Sequence, residues 1–409
     1  MKILHITSSS KGGAGIAAMR LHQALQRQGM ASAYLSTDVT LDFHGETVED
    51  DFFKYQRPSL FQKLLKKLQG LVAPSPSQKM LREFNKIEKE LSYEVVSFPF
   101  APHALENHPL VQEADILHLH WIGKLIDYPT FFKAIKKPIV WTLHDMNPFK
   151  GIFHYQIDED HNSLATWINQ QVFQLKKKAM ATVSKGAIVT PSQWLLEKEK
   201  ASGVFQHFLI HQCIFNSLGL SPQNLSKSEA RKSLGISLDE QVILFSAATL
   251  DNPRKGLDLL QEALDNLTIP VTLLALGKGT LNTSNTLVKV IPLGFRASEK
   301  DIFECYAAAD VFVLPSREDN LPNTMLESLA QGTPVISFGN GGMKEVILDG
   351  TYGKLVQPIS AEALRLAMEQ FFAEEENMDS EAIRNYAETQ FNPKKQADAY
   401  AKVYQQLWI

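Results

Sequence analysis

Residues 311–327 read VFVLPSREDNLPNTMLE, a bare apolar run followed by a polar loop and the start of an amphipathic helix. An apolar run without alternation is typical of a strand that is buried on both faces of a parallel sheet. The same strand–loop–helix unit recurs along the chain, which indicates an α/β fold. The predicted strands are residues 2–7, 32–36, 115–121, 138–143, 187–191, 242–247, 271–276, 288–292, 311–314 and 334–338.

These units form two series that separate near residues 205–230. A chain of 409 residues is long enough for two domains of roughly 200 residues each. We therefore predict two doubly wound Rossmann-like domains that face a cleft, the first at 1–215 and the second at 216–392. Residues 393–409 predict a final helix that packs on its own domain or crosses back to the first. Its apolar stripe comprises Ala397, Tyr400, Ala401, Tyr404, Leu407 and Trp408.

The composition excludes several classes of protein. Apolar residues make up 44% and charged residues 21% of the chain, an ordinary globular mixture that excludes global disorder and fibrous folds. The net charge of −4 gives no basic excess for binding nucleic acid. Cys213 and Cys305 alone cannot build a disulfide framework or a cysteine-based zinc site, which favours a cytoplasmic location. No apolar run reaches the ~18 residues of a membrane span.

The segment that begins at Lys54 and ends at Arg82 carries seven basic residues and no acidic one. One interpretation is a surface helical insertion, within about residues 54–92, that covers the sheet. The other is an interfacial helix that contacts anionic lipid, which would place the protein peripherally on the inner face of the membrane. Its predicted apolar stripe is Phe61, Leu64, Leu65 and Leu68, beside Lys63, Lys66 and Lys67.

Three glycines, Gly12, Gly13 and Gly15, lie between the first predicted strand and a helix. Glycines let a backbone approach a ligand closely, and a helix N-terminus offers free N–H groups to an anion. Residues 13–18 also fit the dinucleotide pattern G-x-G-x-x-A, with Asp38 about 20 residues further on. The interpretations are a ligand-facing loop, a dinucleotide site or a plain turn.

Charged side chains follow two strands of the second series. Arg254 and Lys255 come after strand 242–247 and carry charge suited to a diphosphate at the carboxyl end of the sheet. Asp319 lies before a helix, near the positive end of its dipole, and Glu327 lies well off the apolar face of that helix. Two carboxylates flanking a helix start are placed to bracket a polyhydroxyl ligand.

Histidines end two neighbouring strands of the first series. His118 and His120 end one strand, and His144 ends the next, where we interpret His144 as facing the cleft; the alternative is a satisfied core histidine. Asp158 and Asp160 spell D-x-D, a pattern of metal–diphosphate sites. They follow no predicted strand, and we interpret them as a solvated acidic loop.

Together these motifs resemble glycosyltransferase family 4, in group 1, which has the GT-B fold. The resemblance rests on IPLGF at 291–295, YAAADVFVLPS at 306–316, ESLAQGTPVI at 327–336, WTLHD at 141–145, VTPSQW at 189–194 and PRKG at 253–256. It implies retaining, metal-independent transfer of a sugar from a nucleoside-diphosphate sugar to a glycan, glycolipid or protein-linked acceptor in polysaccharide biosynthesis. It also implies that the domain at 1–215 lies on the acceptor side and that the domain at 216–392 binds the nucleotide sugar. Residues 147–155 resemble a branch with a cysteine cluster that is missing here, and we predict no zinc.

The resemblance also implies roles for individual residues. Lys255 matches the basic residue on the diphosphate, and Asp319 stands where a glutamate contacts the donor sugar. Glu327 matches the second carboxylate of the family's E-x7-E element, which binds ribose, and His144 lies beside the transferred sugar. The implied catalytic residues are thus His144, Lys255 and Asp319, with no cofactor and no metal. The implied donor-binding residues are Gly12, Gly13, Gly15, Arg254, Phe295, Arg296, Asn320, Leu321, Asn323 and Glu327.

Three positions depart from the family pattern. Aspartate at 319 is shorter than glutamate, Thr249 replaces the family's usual arginine, and Pro322 removes an N–H donor. These departures leave open a nucleotide-sugar-binding protein with a degraded donor site. A further alternative is an NAD-dependent oxidoreductase that uses residues 13–18 and Asp38.

Overall fold

The computed structural model describes residues 1–50, 52, 75–219, 225–250, 252–296, 298–374 and 378–409. The chain divides into two compact units. Unit 1 comprises Met1–Ile214 and Ala397–Ile409, and unit 2 comprises Phe215–Gln396. The predicted apolar stripe from Phe61 to Leu68 lies outside the described residues. No helix within the described parts of the chain combines the length and the apolarity needed to cross a membrane.

The described residues of unit 1 form a seven-stranded sheet in the order β3-β2-β1-β4-β5-β6-β7. Every strand pair is parallel except β2–β3. The strands are β1 Lys2–Ile6, β2 Ala31–Leu35, β3 Thr40–Leu41, β4 Ile116–Leu119, β5 Ile139–Thr142, β6 Gly186–Thr190 and β7 Ile210–Cys213. Strands β4, β5 and β6 are buried along their whole length, which confirms the interpretation of their apolar runs.

The described residues of unit 2 form a six-stranded parallel sheet in the order β10-β9-β8-β11-β12-β13. The strands are β8 Val242–Thr249, β9 Val271–Lys278, β10 Val288–Gly294, β11 Val311–Leu314, β12 Val335–Phe338 and β13 Gly353–Val356. The order of the strands reverses between β8 and β11. In open α/β sheets, ligands bind beyond the carboxyl ends of the strands at such a reversal.

Helices connect the strands in both units. Those of unit 1 are α1 Gly12–Arg27, α2 Pro76–Ile87, α3 Pro109–Glu113, α4 Tyr128–Ala134, α5 Gln156–His161, α6 Thr166–Met180 and α7 Gln193–Ser202. Those of unit 2 are α8 Lys227–Leu234, α9 Leu257–Asp265, α10 Glu299–Ala308, α11 Asn323–Ala330, α12 Ala361–Ala373 and α13 Ser380–Gln390. The last helix, α14 Pro393–Trp408, contains residues of both units.

The predicted acidic loop at 158–160 is wrong, because these residues belong to helix α5. Gln156 Nε2 donates to Asp160 Oδ1 over 2.7 Å, one helical turn away. Asp158 is buried and its carboxylate accepts a hydrogen bond from Glu94 N at 3.2 Å. The acidic residues are thus not a solvated loop, since one of them is part of the interior of unit 1.

Helix α14 begins where the sequence predicts it. Asn392 Oδ1 accepts a hydrogen bond from Lys394 N at 2.9 Å, and proline occupies the first helical position. The buried stripe packs with apolar residues of β1, β4, β5, β6 and α1. Trp408, predicted on this stripe, is 51% exposed. Val403, which the prediction omits, is buried instead, because it lies between Tyr400 and Leu407 on the helix surface.

Two tyrosines of α14 continue into a buried polar network. Tyr404 OH lies 2.7 Å from His118 Nδ1, and His118 Nε2 lies 2.8 Å from Thr142 Oγ1. Tyr400 OH lies 2.8 Å from the same Thr142 oxygen. The network joins the last helix to β4 and β5.

Tyr404→Phe is expected to lower the free energy of unfolding by about 1–3 kcal/mol, because it leaves a buried nitrogen of His118 without its partner. Urea denaturation measures the change. Trp408→Phe is the control, since that side chain is half-exposed, and its effect should stay within about 0.5 kcal/mol. Equal effects of the two substitutions would contradict the role of the network.

Candidate functional site

Strands β8 and β11 bring three of the predicted site residues of unit 2 together. Lys255 Nζ lies 2.5 Å from Asp319 Oδ2, and Arg254 Nη1 lies 3.3 Å from the same oxygen. Both basic residues belong to the single turn Pro253–Lys255 before α9, where Asn252 Oδ1 accepts a hydrogen bond from Arg254 N at 3.0 Å. Loops that follow two adjacent strands thus bring two cationic side chains to one carboxylate.

The charges of this cluster determine the state of Asp319, whose side chain is 13% exposed. Burial alone would raise its pKa, but the charges of Lys255 and Arg254 outweigh burial and hold the pKa below its usual value. Arg254 is buried and its Nη1 also donates to Glu318 O at 2.8 Å. The cluster therefore carries two positive charges against one negative charge, an arrangement suited to an anionic ligand.

Two glycines let the surrounding loops approach this cluster. Gly341 has φ +56°, and a Cβ there would lie 1.9 Å from Asp319 O. Gly256 has φ +73°, and a Cβ there would lie 2.0 Å from Pro315 O. Glycine is thus required at both positions by close approach and by positive φ.

The remaining predicted residues of unit 2 lie on two elements. Asn320 and Leu321 are buried before helix α11, while Asn323 and Glu327, on the helix, are half-buried. Asn320 N donates to Asp319 Oδ1 at 3.1 Å. The sequence predicts that the carboxylates of Asp319 and Glu327 flank a polyhydroxyl ligand. In this structure the carboxylate of Asp319 forms an ion pair with Lys255.

Phe295 and Arg296 follow β10, an edge strand two positions from β8. Phe295 is 62% exposed, and Lys278 Nζ lies 5.3 Å from the centre of its ring. Arg296 Nε donates to Leu293 O at 3.2 Å. Thr249, where the family pattern has arginine, is exposed at the end of β8.

The glycines of unit 1 lie in the first turn of helix α1, which begins at Gly12. The predicted position of Gly12, Gly13 and Gly15 between the strand and the helix is therefore wrong, because all three belong to the helix. Gly12 has φ +77°, and a Cβ at Gly15 would lie 2.3 Å from Ser9 O. The segment before the helix folds over the first turn, and the exposed Gly12 and Gly13 remain at the helix N-terminus.

Hydrogen bonds to the carboxylate of Asp38 hold the segment before helix α1 in place. Its carboxylate accepts hydrogen bonds from Ser10 N at 2.8 Å, Ser10 Oγ at 2.9 Å, Ser9 Oγ at 3.2 Å and Ser36 Oγ at 2.7 Å. Burial would raise the pKa of Asp38, but these hydrogen bonds outweigh burial and lower it. A dinucleotide site would need this carboxylate for ribose hydroxyls, so its use within the loop disfavours that alternative.

His144 belongs to a row of imidazole rings in unit 1. Its Nε2 lies 3.1 Å from His120 Nδ1, and His120 Nε2 lies 3.0 Å from His5 Nδ1. Burial lowers the pKa of His144 to about 4, against the opposing charge of Asp145. His118 is the second-last residue of β4, near the strand end as the sequence predicts, and it forms hydrogen bonds with the hydroxyl groups of Tyr404 and Thr142.

The ring nitrogens of His5, His118 and His120 lie within 4.8 Å of one another, a spacing at which side chains can share a metal ion. In this structure, nitrogens of these rings form hydrogen bonds with other side chains. Both nitrogens of His118 bind hydroxyl groups, and both nitrogens of His120 bind other imidazoles. A metal would have to replace these bonds.

The stability of this protein is expected to fall as the pH falls from about 6.5 toward 4. Burial lowers the pKa of His5, His22, His118, His120 and His144 in the folded state. The unfolded chain therefore takes up protons first, and each such histidine contributes up to ~1.4 kcal/mol per pH unit in that window.

Urea denaturation at pH 7 and pH 5 tests this expectation, with a loss of at least about 2 kcal/mol expected. His22→Gln should reduce the dependence on pH, whereas His44→Gln, on an exposed side chain, should leave it unchanged. Equal stability at the two pH values would contradict the neutral state of the buried histidines.

Asp145, directly after His144, ends a buried serine–histidine–aspartate chain. Its Oδ2 lies 2.6 Å from His154 Nδ1, and His154 Nε2 lies 2.8 Å from Ser97 Oγ. Trp121 Nε1 donates to the same Asp145 oxygen at 2.9 Å. Ser97 is only 2% exposed, so its hydroxyl is not placed to attack a substrate. The chain fixes the residue next to His144.

The side chain of Lys176, on α6, holds the loop that follows Asp145. Its buried Nζ donates to Asn147 O at 2.6 Å, Asn147 Oδ1 at 2.9 Å and Gly151 O at 2.7 Å. Burial lowers the pKa of Lys176 to about 7. Sequence reasoning missed both Lys176 and the Ser97 chain, because a lysine on an amphipathic helix resembles a surface residue and the three chain members have no motif spacing.

Comparison with known proteins places the cluster of unit 2 in a family. Residues 240–374 match the family model described as "Glycosyl transferases group 1". These residues form a group 1 glycosyltransferase domain. The domain contains every predicted site residue of unit 2, from Arg254 to Glu327, and the predicted resemblance to group 1 is confirmed.

Two curated relatives are similar to parts of the chain. The putative teichuronic acid biosynthesis glycosyltransferase TuaC of Bacillus subtilis is 30% identical over 187 residues, which cover 44% of this chain and 46% of the relative. A D-inositol 3-phosphate glycosyltransferase of Streptosporangium roseum is 25% identical over 266 residues, covering 59% of this chain and 58% of the relative. The chain thus spans about half the length of these relatives.

Solved structures of similar fold extend over both units. Anabaena Alr3699/HepE in complex with UDP-glucose has a TM-score of 0.64, 18% identity and full coverage of both chains. Sucrose-phosphate synthase from Thermosynechococcus elongatus has a TM-score of 0.68 and 16% identity, covering 100% of this chain and 99% of the other. These similarities confirm the predicted α/β fold of the GT-B class.

Proposed function

We propose that this protein is a glycosyltransferase that moves a sugar from a nucleoside-diphosphate sugar to a hydroxyl of a glycan or glycolipid acceptor, with retention of configuration and without a metal ion. The observation that carries the proposal is the cluster of Arg254, Lys255 and Asp319 within the family-matched domain. UDP-glucose is the first donor to test, because the similar Anabaena protein was solved with it.

The reaction builds negative charge on the departing diphosphate as the bond to the anomeric carbon breaks. Fixed cations aimed at that charge lower the barrier, since they need no reorganisation during the step. In the proposed mechanism, the diphosphate replaces Asp319 as the partner of Lys255. The released carboxylate then accepts hydrogen bonds from hydroxyls of the donor sugar.

The acceptor hydroxyl attacks the anomeric carbon from the side of the leaving group. Its proton passes to the departing phosphate oxygen, which balances the step and retains the configuration. We propose from the family resemblance that His144 orients the transferred sugar, and that the exposed N-terminus of α1 at Gly12 binds anionic oxygens. Glu327 binds the ribose, and the exposed ring of Phe295 offers a face for the base.

A donor panel tests this function directly. UDP-, GDP- and ADP-linked sugars are compared by thermal shift and by the release of nucleoside diphosphate in the presence of a glycan acceptor. We expect one nucleotide series to raise the melting temperature and to release its diphosphate. Stabilisation by NADH but by no sugar nucleotide would overturn the proposal.

Transfer is expected to keep its full rate in excess EDTA, because Lys255 and Arg254 supply the charge that a divalent ion supplies elsewhere. The measurement is nucleoside diphosphate release with and without chelator, after the protein has been dialysed. A strict requirement for added Mg²⁺ would contradict the metal-independent mechanism.

A second candidate function is binding of a nucleotide sugar without turnover. It is supported by the exposed Thr249 in place of the family's arginine and by Pro322 at the N-cap of α11. Under this candidate, a sugar nucleotide raises the melting temperature, but no diphosphate is released with any acceptor.

A further inference from the structure

Three imidazole rings form a hydrogen-bonded row that runs from the interior of the unit 1 sheet to the end of β5. His5 Nδ1 lies 3.0 Å from His120 Nε2, and His120 Nδ1 lies 3.1 Å from His144 Nε2. The backbone fixes the middle ring, because His120 N donates to Ile6 O at 2.9 Å and Trp141 Nε1 donates to His120 O at 2.9 Å. The geometry of the row is thus set by three neighbouring strands.

The protons of this row cannot be placed independently. A hydrogen bond between two imidazole nitrogens needs one proton and one lone pair. Burial lowers the pKa of all three rings, and the neighbouring histidines add to this effect at His5 and His120, so each ring carries one proton at neutral pH.

Only two arrangements then satisfy both hydrogen bonds. In the forward arrangement, His5 donates to His120, His120 donates to His144, and the proton of His144 lies on Nδ1. In the reverse arrangement, every proton moves to the other nitrogen of its ring, and Nδ1 of His144 carries no proton.

The far end of the row distinguishes the two arrangements. Nε2 of His5 is buried and has no hydrogen-bond partner within the described part of the chain. In the forward arrangement this atom is a lone pair, whereas in the reverse arrangement it is a buried N–H group without an acceptor. Orphaned N–H groups are rarer in protein interiors than under-satisfied acceptors, which favours the forward arrangement.

We propose that His5 and His120 are positioning residues that hold His144 in one tautomer, with its proton on Nδ1 and with Nε2 accepting a hydrogen bond from His120. Only the consequence of this inference rests on the proposed function. Under that function, the fixed Nδ1–H group of His144 donates a hydrogen bond to the transferred sugar. The tautomer itself is a property of the protein without substrate.

Side-chain ¹⁵N NMR of the full chain reports which ring nitrogen of each histidine carries a proton. We expect the signals assigned by His144→Gln to show a protonated Nδ1 in the unsubstituted protein. His120→Leu removes the donor and should leave His144 in a mixture of both tautomers. His120→Asn, whose amide stands where His120 Nδ1 stood, should restore the single tautomer.

His118→Leu is the matched control. This ring is equally buried and lies 4.2 Å from the ring of His120, but it binds Tyr404 and Thr142. We expect it to lower stability without changing the tautomer of His144. In transfer assays, His120→Leu should lower kcat about ten- to a hundredfold with little change in KM, as when a partner that orients a functional histidine is removed.

Three results would overturn the inference. They are a proton on Nε2 of His144 in the unsubstituted protein, a tautomer that is unchanged in folded His120→Leu, and a stoichiometric metal ion, found by elemental analysis, that His5→Leu abolishes. An inactive protein that keeps the Nδ1–H tautomer would instead count against the proposed function and leave the tautomer established. The two failures are therefore distinguishable.

Discussion

Lys255→Ala is expected to lower the rate of sugar transfer by about 10²–10³, the usual effect of removing one preorganised group that stabilises developing negative charge. The fold should survive, because Arg254 still lies 3.3 Å from the Asp319 carboxylate and keeps it paired. Steady-state release of nucleoside diphosphate measures the rate, and thermal unfolding checks the fold.

Lys227→Ala provides a matched control for Lys255→Ala. Lys227 lies in the same unit and also forms an ion pair, with its Nζ 2.9 Å from Asp310, but its side chain is 47% exposed. We expect its loss to leave the rate unchanged. A Lys255→Ala protein that transfers sugar at the full rate would remove Lys255 from the proposed mechanism, whereas equal losses in both variants would indicate a general effect of charge.

The strands of the parallel sheets could be predicted from the sequence because both faces are buried. Residues 311–314 are predicted and observed with identical bounds, and the ends of the other predicted strands differ from the observed ends by at most two residues. Among the described residues, the three strands that the sequence missed lack a bare apolar run. Strand β3 has two residues, β7 reads IHQC at the sheet edge, and β13 reads GKLV with a glycine at its start.

The candidate site was only partly predictable for a different reason. Lys255 and Asp319 follow adjacent strands, so the carboxyl edge of the sheet brings them together, as the sequence predicts for side chains at that edge. The row of histidines depends instead on the register of β1 beside β4, in which His5 pairs with His118. Neither that register nor the direction of a proton can be derived from a local sequence pattern.

Gly341→Ala is expected to lower both the stability of unit 2 and the rate of transfer. A non-glycine residue at φ +56° costs roughly 1–2 kcal/mol. A Cβ at 1.9 Å from Asp319 O must in addition displace the loop that carries Asp319, so the total loss should exceed about 2 kcal/mol. Urea denaturation measures the stability, and diphosphate release measures transfer.

Gly350→Ala separates the two causes. Gly350 has φ +72°, but nothing lies within 4 Å of a Cβ built there, so the substitution carries only the conformational cost of roughly 1–2 kcal/mol. Transfer should then be normal in Gly350→Ala and reduced in Gly341→Ala. Only Gly341→Ala moves Asp319, whose carboxylate is replaced at Lys255 by the diphosphate of the donor in the proposed mechanism. Equal rates in the two variants would mean that the position of Asp319 does not matter for transfer, and the exchange of Asp319 for a diphosphate would have to be abandoned.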